Sequence, residues 1–234
     1  QKHKFLVGIS LDGPRELHDV YRKSKTGKSA FDQTLYGYSL LKQYGVTTEI
    51  LCVVNAKNVN SPLQVYRYFK QLGAKYISFL PLVEPLGNGS VSDRTVPATA
   101  FGRFFIEIFD EWQSNDIGNI KIQIFEEAAR TAFNQEHTLC IFKRTCGGVP
   151  VVEHNGDFYS CDFFVEKEHR LGNIQDVPLV DLLDSPTQRK FGKSKLDTLP
   201  QFCRTCSVRE MCNGGCPKNR FIYTPDGEAG LNYL

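Results

Sequence analysis

The sequence has no apolar run approaching the ~20 residues that a membrane-spanning helix needs. Its opening, QKHKFLVGIS, also lacks the long apolar core and small-residue cleavage site of a secretory signal. The expectation is a cytoplasmic protein with no membrane partner. Charge of either sign is not in excess: 28 Lys and Arg stand against 26 Asp and Glu, a formal net charge of +2. That removes the electrostatic case for nucleic acid as the main partner, and short basic runs such as YRKSKTGK read as solvated surface. Cysteine is nearly missing from the first half of the chain, where Cys52 stands alone in an apolar run and reads as a small buried hydrophobe. What is present is a 234-residue chain, 41% hydrophobic and 23% charged, enough for one sizeable core and a small appended module. Only four polar or basic residues precede the first strand-like run, so the chain is expected to be a fragment that starts inside a domain.

The first part alternates strand-like and helix-like segments. KFLVGISL closes on the turn signal DGP, and AFDQTLYGYSLLKQYG places Phe31, Leu35, Tyr38 and Leu41 at helical spacing before Gly45. VTTEILCVVN is β-branched, SPLQVYRYFKQLG opens with a Ser cap and a first-turn Pro, and KYISFLPLV is a third apolar strand. Strands joined by helices imply parallel pairing with right-handed crossovers, an α/β sheet or part of a barrel. EPLGNGSVSDRTVP reads as a loop of the kind that carries binding residues or lids. The helix ATAFGRFFIEIFDEWQ puts Phe101, Phe104 or Phe105, Ile108 and Trp112 on one core-packing face. No further α/β repeat is expected beyond it, and Glu126 and Glu127 read as helix surface. Composition changes near residue 138, where a domain boundary is expected. Beyond it, two β-rich runs flank a hairpin turn at His154–Asp157, and PLVDLLDSPTQRKFG reads as a helix. His154 and His169 read as solvated.

Seven of the eight cysteines fall in this last part: Cys140, Cys146, Cys161, Cys203, Cys206, Cys212 and Cys216. A disulfide framework suits short secreted chains that cannot build a core, and this chain does not need staples. Thiolates are soft donors for zinc or iron, and the two-residue gap from Cys203 to Cys206 lets two sulfurs reach one metal centre. Gly214 and Gly215 would relieve crowding where backbone approaches such a centre. Seven ligands fill one four-ligand site and leave three for a second. The spacing leaves the partition open, and it leaves a zinc ribbon as an alternative to iron–sulfur.

The pattern Cys140, Cys146, Cys161, Cys203, Cys206, Cys212, Cys216 resembles the SPASM domain of radical S-adenosylmethionine (SAM) maturases, most closely that of anaerobic sulfatase-maturating enzymes. The resemblance extends to GISLDGP with HDVYRKSKTGKSAFD and to FLPLVE. It implies an α/β fold: the later part of a radical SAM partial (β/α) barrel over residues 1–138, then a cysteine-rich α+β SPASM domain over 139–234, truncated at its C-terminus. It implies two auxiliary [4Fe-4S] clusters. Cys140, Cys146, Cys161 and Cys216 would hold one, and Cys203, Cys206 and Cys212, with a further cysteine downstream, the other. Ser10 and Arg22 match positions that hold the methionyl part of SAM, Arg22 by pairing its planar fork with the carboxylate. Leu82 matches a contact to the adenine, and Asp162 the general base.

The implied reaction oxidises a Cys or Ser of a sulfatase polypeptide to Cα-formylglycine. The deoxyadenosyl radical takes a hydrogen from Cβ, Asp162 takes the thiol or hydroxyl proton, and an electron leaves through the auxiliary clusters to a carrier such as flavodoxin or ferredoxin. The family's catalytic cluster is held by three cysteines with gaps of three and two, and no such triplet occurs here. The chain is therefore expected to be the second part of the enzyme and inactive by itself. Two other functions share part of this pattern: a SPASM-type enzyme that crosslinks peptides, and a non-enzymatic zinc-binding module.

Overall fold

The computed structural model describes residues 3–87 and 89–234. The chain divides into two compact units, Gln1–Glu126 with Leu234, and Glu127–Tyr233. The division falls inside a helix, ahead of the composition change near residue 138.

In the first unit the order is β1 (Val7–Ser10), α1 (Arg15–Tyr21), α2 (Phe31–Gln43), β2 (Thr48–Val54), α3 (Pro62–Gln71), β3 (Tyr76–Pro81), α4 (Ala98–Asn115), β4 (Lys121–Ile122) and α5 (Gln123–Ala132), which crosses into the second unit. The strands form one all-parallel sheet in the order β1-β2-β3-β4, as in part of a (β/α) barrel. The short β4 and the helix after it are a fourth repeat where none was expected, because a two-residue strand carries no alternation to read.

Alternation along the longer strands sorts the sheet into two faces. Ile9, Ile50, Cys52, Val54, Ile77, Phe79 and Ile122 face the helices, joining Val65, Phe69, Phe104 and Ile108 in a core where most are fully buried. Phe79 meets Phe104 and Phe105 edge-on, with centroids 5.2 and 5.9 Å away. Fully parallel sheets are normally covered on both faces. Here the other face is polar and partly open: Gly8 and Ser10 are exposed, Leu80 is 41% exposed, and the Ser78 hydroxyl lies against Glu49 (2.5 Å) and Gln123 (2.9 Å).

Ser61 takes the N-cap position of α3 with Pro62 following, but its hydroxyl makes no capping bond. The expected loop after Glu84 is tied back, with Ser92 donating to Glu84 at 2.6 Å and Arg94 at 3.0 Å.

The second unit holds β5 (Val151–Val152), β6 (Asp157–Tyr159), β7 (Arg170–Asn173), α6 (Leu179–Leu183), α7 (Pro186–Asp197), α8 (Gln201–Arg204), α9 (Arg209–Cys212), β8 (Ile222–Tyr223) and β9 (Ala229–Leu231). β5, β6 and β7 form an antiparallel sheet, and β8 pairs with β9. The β5–β6 turn runs through His154–Gly156, with Gly156 at φ 87°. The run expected as one helix is two, because Ser185 caps a new start by accepting from the Gln188 N–H at 3.1 Å and Pro186 takes its first position. His154 is exposed as expected. His169 is not solvated: its ring packs against Phe164 and Phe191 at 4.9 and 5.5 Å.

Candidate functional site

The residues expected to contact SAM lie at the carboxyl edge of the parallel strands, the edge where open α/β sheets bind ligands. Ser10 ends β1, exposed, beside Leu51. Leu82 follows β3; its N–H donates to the Val54 carbonyl at 2.8 Å and its carbonyl accepts from Val96 at 3.0 Å, leaving the half-buried side chain for contact. Arg22 caps the end of α1, and its Nε donates to Asp12 Oδ2 at 2.7 Å. In the sequence Asp12 stands only as part of the DGP turn signal. It is 2% exposed, and its Oδ1 also accepts from the Val53 N–H at 2.8 Å. One edge of the Arg22 fork is thus held by a buried carboxylate, which keeps the guanidinium charged and oriented at the strand ends.

In the second unit Cys140, Cys146, Cys161 and Cys216 line one small cavity, walled otherwise by apolar groups including Val149, Phe163 and Phe164. Three segments far apart in sequence supply them. The loop bearing Cys140 and Cys146 is held to α7 by the Cys146 N–H, which donates to the Gly192 carbonyl at 3.0 Å. The Gln188 amide donates to the carbonyls of Gly147 (3.0 Å) and Ser160 (3.3 Å), joining that loop to the strand that ends in Cys161. Cys216 follows Gly214 and Gly215, at φ 73° and 60°; a side chain on Gly214 would lie 2.3 Å from Leu199. Such a corner admits only glycine.

Cys203, Cys206 and Cys212 gather on α8, the following turn and α9, within electrostatic reach of one another. All seven thiols are free. Burial pushes the Cys146, Cys216 and Cys203 thiols up, and Cys161 up to about 12, with Asp162 adding to the last. Deprotonating such thiols requires positive charge at the site, which a metal centre supplies. Among the described residues no three metal-ligating side chains converge as they would around a single ion. A four-iron cluster binds each cysteine at a different corner, so its ligands do not share one point. The soft, all-thiol donor set in an apolar cavity fits an iron–sulfur cluster.

Asp162 is exposed, and the Cys161 thiol donates to its Oδ1 at 3.3 Å. Phe163, half exposed beside it, carries Lys218 Nζ 3.7 Å from its ring centroid. Glu127, expected on a helix surface, is 2% exposed. Burial works against its charge, but hydrogen bonds from Thr138, His137 and the Leu139 backbone outweigh that and hold it below the usual carboxylate range. His137 Nδ1 lies 3.1 Å from Glu127 and Nε2 3.1 Å from the Glu210 carbonyl. The network thereby anchors both the segment entering Cys140 and the helix bearing Cys212.

Residues 140–207 match the SPASM family, an iron–sulfur cluster-binding domain. The chain is 41% identical over its whole length to a serine-type anaerobic sulfatase-maturating enzyme of Bacteroides thetaiotaomicron, covering 60% of that protein. It is 33% identical over 99% of its length to the cysteine-type enzyme of Clostridium perfringens, covering 63% of it. A solved structure described as native anSMEcpe with bound AdoMet and Cp18Cys peptide superposes with a TM-score of 0.87 at 32% identity, covering 99% of this chain and 64% of that one. The chain thus spans about three-fifths of the length of the curated relatives it matches. Along its whole length it is a homologue of the anaerobic sulfatase-maturating enzymes, and it carries a SPASM iron–sulfur cluster-binding domain.

Proposed function

We propose that this chain supplies the SAM-holding strand edge and the two auxiliary-cluster sites of an enzyme that oxidises a Cys or Ser of a sulfatase polypeptide to Cα-formylglycine. The observation that carries the reading is the meeting of Cys140, Cys146, Cys161 and Cys216 at one apolar cavity, apart from Cys203, Cys206 and Cys212. The clusters, when bound, accept the electron that leaves the substrate. The protein's own residues do the rest. Arg22, braced by Asp12, offers its open edge to the SAM carboxylate, while Ser10 and Leu82 line the same strand edge.

Asp162 takes the substrate proton. Its contact to the Cys161 thiol supports this role, because a cysteine bound to iron has no S–H to donate and leaves the exposed carboxylate to accept from a substrate hydroxyl or thiol. Free thiols fit a reducing compartment, the cytoplasm, with a low-potential carrier such as flavodoxin or ferredoxin as reductant.

The test is anaerobic reconstitution of the full-length enzyme, followed by incubation with SAM, reductant and a sulfatase peptide, with the aldehyde trapped by a hydrazine. Aldehyde formation, together with loss of part of the iron in Cys161→Ala and of a different part in Cys206→Ala, is the expected result. A colourless protein holding zinc, or a peptide that acquires a crosslink in place of an aldehyde, overturns the reading.

A further inference from the structure

A buried cation, Lys195, and a half-buried one, Arg220, adjoin the thiols, and neither forms an ion pair with a carboxylate among the described residues. Lys195, on α7, is fully buried. Its Nζ donates to the carbonyls of Cys140 (2.8 Å), Ile141 (2.9 Å) and Lys143. Three carbonyl acceptors use all three N–H bonds of an ammonium, whereas a neutral amine has two, so this geometry selects the charged form. Arg220 is held by the carbonyls of Gly214 (2.9 Å), Lys195 (2.6 Å) and Asn213 (2.9 Å). A buried charge without an opposite partner is costly, and the acidic groups these two cations face are cysteines. Burial works against the charge of Lys195, as does Arg220, and Cys146, Cys140 and Cys216, all from the four-thiol cavity, lie within electrostatic reach to favour it. Arg220 thus holds the turn of Asn213 and Gly214 between Cys212 and Cys216, within electrostatic reach of Cys203 and Cys212 from one set and Cys146 and Cys216 from the other.

We infer that Lys195 and Arg220 are redox-tuning positioning residues: Lys195 raises the reduction potential of the Cys140/Cys146/Cys161/Cys216 centre selectively, and Arg220 raises that of both centres. The inference rests on the cluster reading above. A thiolate-bound cluster is net negative and gains a further negative charge on reduction, so a fixed cation in a low-dielectric surround stabilises the reduced form more than the oxidised one. Lys195 acts on one centre and Arg220 on two, so removing each charge shifts a different set of potentials. Lys195 also fixes the chain direction at Cys140 through its three carbonyl bonds. Lys195→Gln removes the charge while keeping two of the three N–H donors, and the iron content reports any loss of scaffolding.

The experiment uses the full-length enzyme reconstituted anaerobically, with the potential of each auxiliary centre followed by EPR-monitored redox titration. Cys206→Ala isolates the four-thiol centre and Cys161→Ala the other. In the Cys206→Ala background, Lys195→Gln is expected to lower the reduced-to-oxidised ratio at fixed solution potential at least tenfold, 59 mV for one electron. Lys195→Arg is expected to restore it. In the Cys161→Ala background, Lys195→Gln is expected to leave the potential in place, while Arg220→Gln lowers it in both backgrounds. Should Lys195→Gln fail to fold, Arg220→Gln carries the test. Unchanged potentials at full iron content, or equal shifts from Lys195→Gln in both backgrounds, overturn the inference while leaving the cluster reading intact. An enzyme that binds no iron beyond its catalytic cluster overturns both.

Discussion

At the scale of single residues, the candidate site depends on carboxylates and cations whose surroundings a sequence does not display. Asp12 and Asp162 illustrate the two extremes. Asp12 is buried and braces Arg22, while Asp162 is exposed and accepts from the thiol of Cys161. Removing the charge of Asp162 therefore disturbs little packing, and Asp162→Asn in the full-length enzyme is expected to fold normally and keep its iron. Its turnover of a sulfatase peptide is expected to fall by about 10²-fold or more, the usual worth of a positioned base. Native turnover in single-turnover kinetics would remove Asp162 from the mechanism. Glu127 was hidden for a related reason: it opens an amphipathic segment and reads as helix surface, and elements from elsewhere in the chain bury it, as they bury Lys195.

At the scale of elements, α7 is the piece on which the four-thiol cavity is built, since it carries Gln188, Gly192 and Lys195 on the side that meets the cysteine loops. Gly192 provides a test in which two effects oppose each other. Replacing glycine by alanine inside a helix ordinarily stabilises it by about 1 kcal/mol. Here the added Cβ would sit 3.0 Å from the backbone carbonyl oxygen of Cys146, which cannot rotate away as a side chain can. Overpacking of that kind costs roughly 1–3 kcal/mol, so the net sign is destabilising. Gly192→Ala is expected to lower the melting temperature and the iron content, measured by calorimetry and iron analysis. A variant more stable than the parent, with full iron, would show that the loop shifts freely. The break before α7 was readable in Ser185-Pro186, a cap followed by a first-turn proline. β4 was not readable, because its pairing with β3 extends over only two residues.

At the scale of the whole molecule, the two units are stabilised by different means. The first has a continuous apolar core built on the helix-facing side of its sheet. In the second, Phe158, Leu182 and Leu199 are the buried hydrophobic side chains among the described residues. A unit with so small a core needs additional bonds, and metal ligation supplies folding free energy directly. Removing iron is therefore expected to open residues 139–233 to proteolysis and amide exchange while the core of residues 3–126 stays protected. Hydrogen exchange on the chain with and without reconstituted clusters measures this. Equal protection of both parts in the iron-free chain would mean that the second unit is held by its hydrogen bonds alone.

The sequence by itself determined the parallel α/β character of the first part, the helix faces of α2 and α4, the hairpin at His154–Gly156 and the supply of seven thiols, since each is a local pattern of period, turn chemistry or spacing. Only the tertiary structure decided that Cys216 lines the same cavity as Cys140, Cys146 and Cys161, that Asp12 holds Arg22, and that the charges of Lys195 and Arg220 lie against the thiols. Those relations join residues distant in the chain, and they depend on which groups packing removes from water. Spacing records neither.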